Sequence, residues 1–281
     1  METVVDFSSY VWLLLLVAAF ASGLVDAIAG GGGLIQVPAL FSAYPDAHPA
    51  TLLSANKVSS IGGTINAARR YLRHAKLPWN ILGPAIIAGF IGALLGALAV
   101  SVFPPEPLRK ALPFMLAILL AYTWFAPSMG LENRPAHKIG RHEVPKAVVM
   151  GLVIGFYDGF FGPATGSFFL FAFVRIFYFD FLHASAATKL VNVTTNLASI
   201  IMLTSLGFID WPLGLSLMVA NILGSQVGSM LAIAHGSQFV RKIFLIVVLA
   251  LIARSAYTAF FSNYINSLHF CGRATPPDCF T

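Results

Sequence analysis

The chain of 281 residues is 58% hydrophobic, only 10% charged and has a mean hydropathy of +0.81. Soluble domains carry roughly 25% charged residues, so this composition excludes a soluble protein and indicates an all-α integral membrane protein in a lipid bilayer. The net charge of +6 comes without a patch that mixes basic and aromatic residues, so we expect no nucleic-acid partner. Basic residues between membrane spans instead determine topology.

The first stretch of the chain combines one clear span with a break. Residues 10–29 are apolar and supply the roughly 20 residues that a bilayer crossing needs. Four glycines, 30–33, follow, and the apolar arm 34–43 is too short to cross. Residues 51–72 form a polar helix that should face the protein interior, because its polar side chains are costly against lipid. This helix ends in a basic cluster, predicted to be cytoplasmic: Arg69, Arg70, Arg73 and Lys76.

Two apolar spans come next, at 79–102 and 108–126, separated by the turn FPPEP. Two crossings return the chain to its starting side, where the loop 127–146 is again basic. The positive-inside rule therefore predicts that 127–146 is a cytoplasmic loop. A mobile tail is predicted at 263–281.

The second half of the chain repeats the first at an offset of 132 residues. This offset relates glycine, tryptophan and charged positions: Gly23 to Gly155, Asp26 to Asp158, Gly30 to Gly162, Lys57 to Lys189, Trp79 to Trp211 and Gly92 to Gly224. The sequence predicts a first transmembrane repeat at 10–126, a second at 147–262, and a helical bundle of about eight to ten membrane segments with broken helices. The basic cluster maps to uncharged residues, Ile201, Met202, Ser205 and Phe208. This favours inverted repeats, although parallel repeats remain open.

The two glycine breaks are the strongest candidates for a ligand site. The second break reads GFYDGFFGPATGSFF at 155–169, and paired breaks of this kind are a pointer to transporter binding sites. Helix N-termini carry unpaired N–H groups and a partial positive charge, so we expect a small anionic substrate. The predicted binding residues at the breaks are Gly31, Gly32, Gly33, Ala164, Thr165 and Gly166. The alternative is that the glycines serve close packing alone.

Charged and polar residues near the breaks complete the candidate site. Lys57 and Lys189 are matched cations inside membrane helices, which predicts counter-charges for an anion or a structural ion pair with Asp26 or Asp158. The aspartates are assigned to structure first and to coupling second, because a carboxylate repels an anion. Further candidates are two neutral donors, Asn56 and Asn192, and two histidines that could couple protons or cap helices, His48 and His183. The spacing of residues predicts no metal site, no cofactor and no catalytic group.

These motifs resemble the TauE/SafE sulfite exporter family, also called the toluene sulfonate uptake permease family. The resemblance rests on GLVDAIAGGGGLIQVPAL at 23–40, SANK at 54–57, GFYDGFFGPATGSF at 155–168 and ATK at 187–189. It implies a secondary transporter in the bacterial inner membrane that exports sulfite, sulfoacetate or related sulfonates by alternating access. Pro163 and Ala164 depart from the plain glycine-rich form.

Three other interpretations stay open at the level of sequence. An anion channel would use the same positive helix ends, and an ion-coupled uptake permease would carry a different small anion inward. An intramembrane enzyme would need paired catalytic groups, for which the sequence gives no candidates, so we expect no enzyme activity. Assembly as a homodimer is also left open.

Overall fold

The computed structural model describes residues 9–104 and 143–257, with side chains described as far as residue 235. In these two ranges all regular structure is helical. The eight helices, in chain order, are α1 Ser9–Ala29, α2 Gly33–Ala43, α3 Pro49–Leu72, α4 Trp79–Val102, α5 Glu143–Phe160, α6 Thr165–Phe177, α7 Phe181–Ser205 and α8 Trp211–Tyr257. The predicted span 108–126, most of the predicted loop 127–146 and the predicted tail 263–281 lie outside the described residues.

Four of these helices contain segments that are long and apolar enough to cross a membrane: Tyr10–Ala29, Trp79–Val102, Phe181–Ser205 and Trp211–His235. Two shorter apolar helices, α2 and α6, have 11 and 13 residues. This confirms the prediction of a helical membrane protein.

Helix ends follow from local sequence. α1 ends where Gly30 adopts φ +80°, and α5 ends just before Gly162, which adopts φ +93°. Glycine accepts this left-handed backbone without a steric penalty, so both interruptions have the same cause. Aspartate side chains cap the N-termini of α7 and α8. Asp180 accepts a hydrogen bond from the amide of His183, and Asp210 accepts one from the amide of Leu213.

Helix starts are spaced identically in the two halves. α6, α7 and α8 begin 132 residues after the starts of α2, α3 and α4, which is the offset of the matched residues in the sequence. The two halves therefore share one order of long helix, short arm, polar helix and apolar helix.

Two hydrophobic clusters lie at opposite ends of the bundle. Cluster A includes Tyr71 near the end of α3, Ile81 near the start of α4 and Ala184 near the start of α7. Cluster B includes Leu53 near the start of α3, Val100 near the end of α4 and Leu203 near the end of α7. The chain passes from cluster B to cluster A along α3, but from A to B along α4 and α7. α3 therefore runs opposite to α4 and α7.

α1 runs in the same direction as α3. Leu15 of α1 shares a buried cluster with Leu52 near the start of α3, and the hydroxyl of Tyr71 near the end of α3 donates to the carbonyl of Ala27, 2.8 Å away. α2 then turns back along α1, since Leu40 packs in the cluster of Leu15. The chain therefore reverses its direction between α1 and α2.

Close packing at glycine joins helices from different halves. α4 packs mainly against α5, where a Cβ added to Gly155 would lie 2.5 Å from the carbonyl oxygen of Gly89, and one added to Gly96 would lie 2.7 Å from the amide nitrogen of Phe160. Residue numbers rise together along this contact, so α4 and α5 are parallel. Small residues permit this approach, as in other membrane helix pairs.

α8 packs against α1 in the same way. A Cβ added to Gly23 would lie 3.0 Å from the Cα of Asn221, and one added to Gly228 would lie 3.0 Å from the Cα of Leu24. α1 and α8 are therefore parallel, and each long apolar helix finds its main partner in the other half.

Candidate functional site

The two breaks touch each other at the centre of the contact between the halves. The amide of Ser167 donates to the carbonyl of Gly30 at 3.1 Å, and its hydroxyl donates to the carbonyl of Ala29 at 2.9 Å. A Cβ added to Gly166 would lie 2.6 Å from the Cα of Gly30. The crossing therefore has room only for glycine at both positions.

The first break presents a short stretch of main chain at the start of α2. The amides of Leu34 and Ile35 donate to the carbonyls of Gly31 and Gly32, at 3.0 and 2.9 Å. Gly33 faces the second break, where an added Cβ would lie 3.1 Å from the Cα of Pro163. The amides of Gly31, Gly32 and Gly33 therefore lie at the N-terminus of α2, before its first hydrogen bonds, whereas the amide of Gly30 donates to the carbonyl of Asp26. A helix N-terminus of this kind favours an anion.

The second break differs from the first. Ala164 adopts the left-handed conformation with φ 63°, and Thr165 uses both its amide and its hydroxyl on the carbonyl of Gly162, at 3.2 and 2.7 Å. The hydroxyl of Tyr157 donates to the carbonyl of Pro163. The side chain of Thr165 therefore closes the break, and its hydroxyl proton is committed to the main chain.

Lys57 and Asp158 form a buried ion pair between the halves. The ammonium nitrogen lies 2.5 Å from a carboxylate oxygen, and the two side chains are 3% and 6% exposed. A Cβ added to Gly162 would lie 2.9 Å from this nitrogen, so the lysine lies against the second break.

Lys189 and Asp26 form the matching pair. Their charged atoms lie 2.9 Å apart, with side-chain exposures of 2% and 17%, and the ammonium also donates to the main-chain carbonyl of Asp26. The offset of 132 exchanges this pair with Lys57 and Asp158, so each half supplies one cation and one anion to the other. Both lysines are neutralised in this arrangement, which is the structural pairing that the sequence had left as an alternative.

Neutral polar groups beside the ion pairs have no partner among the described residues. These atoms are Oδ1 of Asn56, Oγ1 of Thr188 and Oδ1 of Asn192, on residues that are 4%, 1% and 6% exposed. The amide nitrogen of Asn192 faces the second break, 2.9 Å from a Cβ built on Gly166. Leaving a buried polar group unpaired costs roughly 1 to 3 kcal/mol. These three oxygens can therefore form hydrogen bonds with a further polar group.

The two histidines lie away from the crossing, at helix starts. His48 precedes α3, accepts a hydrogen bond from the amide of Ala50 at 3.2 Å and stacks on Phe208. His183 lies 2.6 Å from a carboxylate oxygen of Asp180 in the first turn of α7. His48 therefore caps α3, which is the alternative that the sequence named, whereas the cap of α7 is Asp180 and His183 pairs with it.

Gln36, Ser59 and Asn221 form another group of hydrogen-bonded polar side chains, which the sequence did not predict. Gln36 accepts hydrogen bonds from Ser59 at 3.3 Å and from Asn221 at 3.4 Å, and Asn221 also donates to the carbonyl of Ala19. Gln36 is fully buried and Asn221 is 2% exposed. The signal was present, because Gln36 interrupts an apolar arm, but its position in the second half is Phe168 and so gives no matched pair.

Comparison with known proteins identifies the family. A family model described as "Sulfite exporter TauE/SafE" matches residues 15–255. The chain belongs to the TauE/SafE family. Relatives include a protein named "Probable membrane transporter protein YfcA" from Escherichia coli K12, 34% identical over 259 residues, which covers 92% of this chain and 93% of that protein.

Two further TauE/SafE relatives have similar coverage. "Probable membrane transporter protein ORF9" from a Sinorhizobium species is 35% identical over 251 residues, covering 89% of this chain and 94% of that protein. A "Probable membrane transporter protein" from Haemophilus influenzae is 33% identical over 248 residues, covering 87% and 94%. No solved structure gives a significant match. The family match spans both breaks and both ion pairs.

Proposed function

We propose that this TauE/SafE protein is a secondary transporter of the bacterial inner membrane that exports a small sulfur-containing oxyanion, such as sulfite, sulfoacetate or a related sulfonate. The observation that carries the proposal is the contact between the two breaks, where the amide of Ser167 donates to the carbonyl of Gly30 close to the starts of α2 and α6. Buried side-chain oxygens of Asn56, Thr188 and Asn192 lack a partner among the described residues. The match to a sulfite exporter family supports the substrate class.

Charge at the crossing is compatible with a small anion. The two ion pairs add no net charge, because each lysine faces an aspartate. A helix N-terminus carries a partial positive charge of up to about +0.5, so an anion is favoured directly before the starts of α2 and α6. The side-chain Nδ2 groups of Asn56 and Asn192 and the hydroxyl of Thr188 are neutral hydrogen-bond donors for the oxyanion oxygens.

We further infer that the repeats are inverted. α1 and α3 run toward cluster A, whereas their counterparts α5 and α7 run toward cluster B, and α4 and α8 are likewise opposed. The re-entrant course of α2 supports the same inference, since it gives each half an odd number of crossings. Inverted repeats around a central site support alternating access as the transport mechanism.

Export is also the energetically simple direction. An anion that leaves a cell with a negative interior gains about 2.3 kcal/mol per charge for each 100 mV. No coupling ion is then needed, whereas uptake of the same anion would need one.

The direct test is a thermal-shift screen of the purified protein against sulfite, sulfate, sulfoacetate, taurine and toluenesulfonate, followed by flux assays in liposomes. A ligand that binds only the folded state raises the melting temperature, and the rise increases with ligand concentration. We expect a shift with at least one sulfonate or sulfite, and saturable flux of the same anion. Flux that does not saturate would indicate a channel, and no binding and no flux for any of these anions would refute the proposal.

A further inference from the structure

The ion pair of Lys189 and Asp26 lies beside cluster A. Asp26 directly precedes Ala27, and Lys189 follows Ala187 by two residues. Both alanines are buried in cluster A. This pair therefore lies on the cluster A side of the bundle.

The ion pair of Lys57 and Asp158 lies beside cluster B. Lys57 follows Leu53 by about one helical turn, and Asp158 precedes Phe161 by about one turn. Leu53 and Phe161 are both buried in cluster B. The two ion pairs therefore lie on opposite sides of the crossing of the breaks.

The antiparallel packing of α3 against α7 gives the separation of the two lysines in depth. Val58 of α3 shares a buried cluster with Ile200 of α7, and Tyr71 shares cluster A with Ala184. With a rise of about 1.5 Å per residue, this register separates the Cα atoms of the two lysines by roughly 15 Å along the bundle. That distance is about half of the hydrocarbon thickness of a bilayer.

The other basic side chains lie at the end of the bundle that contains cluster A. Within the ranges whose side chains are described, these are Arg69, Arg70, Arg73, Lys76, Lys146 and Arg175. They neighbour Tyr71, Ala75, Ala147 and Val174, which are buried in cluster A. The positive-inside rule indicates that this end faces the cytoplasm. The pair of Lys189 and Asp26 is then the cytoplasmic pair.

The cytoplasmic pair is the more exposed of the two. The side chain of Asp26 is 17% exposed, compared with 6% for Asp158, whereas Lys189 and Lys57 are 2% and 3% exposed. An aspartate that leaves its lysine needs water in its place, because a buried carboxylate without a partner is costly. Asp26 can therefore leave its lysine at a lower cost than Asp158.

We propose that the two ion pairs are separate binding positions for the anion, one for each face of the membrane. Lys189 leaves Asp26 and binds the anion that arrives from the cytoplasm. Lys57 leaves Asp158 and binds the anion when the opposite face is open. This inference rests on the transport function proposed above, and it gives different roles to two lysines that are equivalent in the sequence.

Exchange of one anion for another keeps each ammonium group paired. The carboxylate turns to water from the face that has opened, while the oxyanion takes its place on the lysine, so neither charge is buried alone. The other ion pair stays intact beside its own cluster during this step. Opening of one cluster at a time therefore gives the anion a binding position at one face only.

Counterflow measured from each membrane face tests the proposal, and each half of the protein is the matched control of the other. Lys189→Met is combined with Asp26→Asn, and Lys57→Met with Asp158→Asn, so that no buried carboxylate loses its partner. The apparent affinity for labelled sulfite and sulfoacetate is measured in inside-out and right-side-out vesicles, with the opposite face held at a saturating concentration of the unlabelled anion.

We expect each double variant to weaken the affinity at one face alone. The change at Lys189 should weaken it about tenfold or more at the cytoplasmic face, and the change at Lys57 should do the same at the opposite face. If a double variant fails to fold, Lys189→Arg and Lys57→Arg keep the charge but alter the geometry of the donors. Each of these should change the affinity about threefold or more at its own face alone.

The orientation of the protein is measured with Lys76→Cys, an exposed position at the cluster A end. Cys271 and Cys279 are replaced by serine, and the vesicles are treated with an impermeant maleimide. Labelling is expected in inside-out vesicles alone. Labelling in right-side-out vesicles alone would overturn the assignment of Lys189 to the cytoplasmic face.

Two results of the counterflow assay overturn the proposal. One is an equal loss of affinity at both faces in each variant, which a single shared site would give. The other is an unchanged affinity at both faces, which purely structural ion pairs would give. If the parent protein transports neither sulfite nor sulfoacetate, the proposed function itself fails, whereas transport by the parent with either of these two results removes the roles of the lysines alone.

Discussion

Substitution of Gly30 by alanine tests whether the two breaks are held in contact. The position has φ +80°, where an L-residue costs roughly 1 to 2 kcal/mol. The new Cβ would also lie 2.6 Å from the amide nitrogen of Ser167, which is main chain and cannot rotate away. Overpacking of this kind costs about 1 to 3 kcal/mol. We expect Gly30→Ala to lose about 2 to 5 kcal/mol of stability.

Gly31→Ala is the matched control, one residue away. Its φ is not positive, and its added Cβ would meet only side chains at ordinary contact distances, 3.6 Å from Leu34 and 3.7 Å from Val25. A change that adds neither strain nor a clash usually stays within about 0.5 kcal/mol.

Both variants are heated in detergent, and the fraction that stays folded is followed by size-exclusion chromatography. A protein of this size loses roughly 2 to 4 °C of melting temperature per kcal/mol, so Gly30→Ala should melt clearly below the wild type while Gly31→Ala should not. Equal melting temperatures for the two variants would show that the breaks do not touch as described.

Three further changes have defined outcomes. Lys57→Met should lower the free energy of unfolding by about 3 to 5 kcal/mol, because it leaves the buried carboxylate of Asp158 unpaired. Adding Asp158→Asn should recover most of this loss. A double variant as unstable as the single one would contradict the pairing. Tyr71→Phe should lower the free energy of unfolding by about 0.5 to 1.5 kcal/mol, because the hydrogen bond to the carbonyl of Ala27 in α1 is lost. An unchanged stability would argue against that bond. Gly96→Ala should destabilise the protein by about 1 to 3 kcal/mol, because its Cβ would meet the main chain of α5. The control is Gly83→Ala, whose added Cβ has nothing within 4 Å and should not destabilise the protein. Equal effects of the two changes would contradict the α4–α5 contact.

Much of the architecture can be predicted from the sequence because the signals are local. Glycine runs after an apolar helix predict the interruptions at Gly30 and Gly162, and the constant offset predicts that helix starts recur. The lysines and aspartates could be named for the same reason, as ionisable residues in apolar surroundings.

Local sequence patterns do not predict which residues of different helices contact each other. Lys57 has Asp26 and Asp158 as equally suitable partners by type, and only the packing of α3 against the second break selects Asp158. The hydroxyl of Thr165 looked like a free donor for a ligand, but the geometry of the break turns it onto Gly162. Gln36 and Asn221 were missed because their counterparts, Phe168 and Gly89, are not polar.

The central claim, that a small oxyanion binds at the crossing of the two breaks, is tested most directly by counterflow of labelled sulfoacetate and sulfite in proteoliposomes. The wild type is compared with Asn56→Leu and Asn192→Leu, and with His183→Gln as a control away from the crossing. A hydrogen bond to a charged group contributes roughly 1.5 to 3 kcal/mol, so each leucine variant should weaken apparent affinity about tenfold or more while the control stays unchanged. Wild-type affinity in both leucine variants would contradict the account.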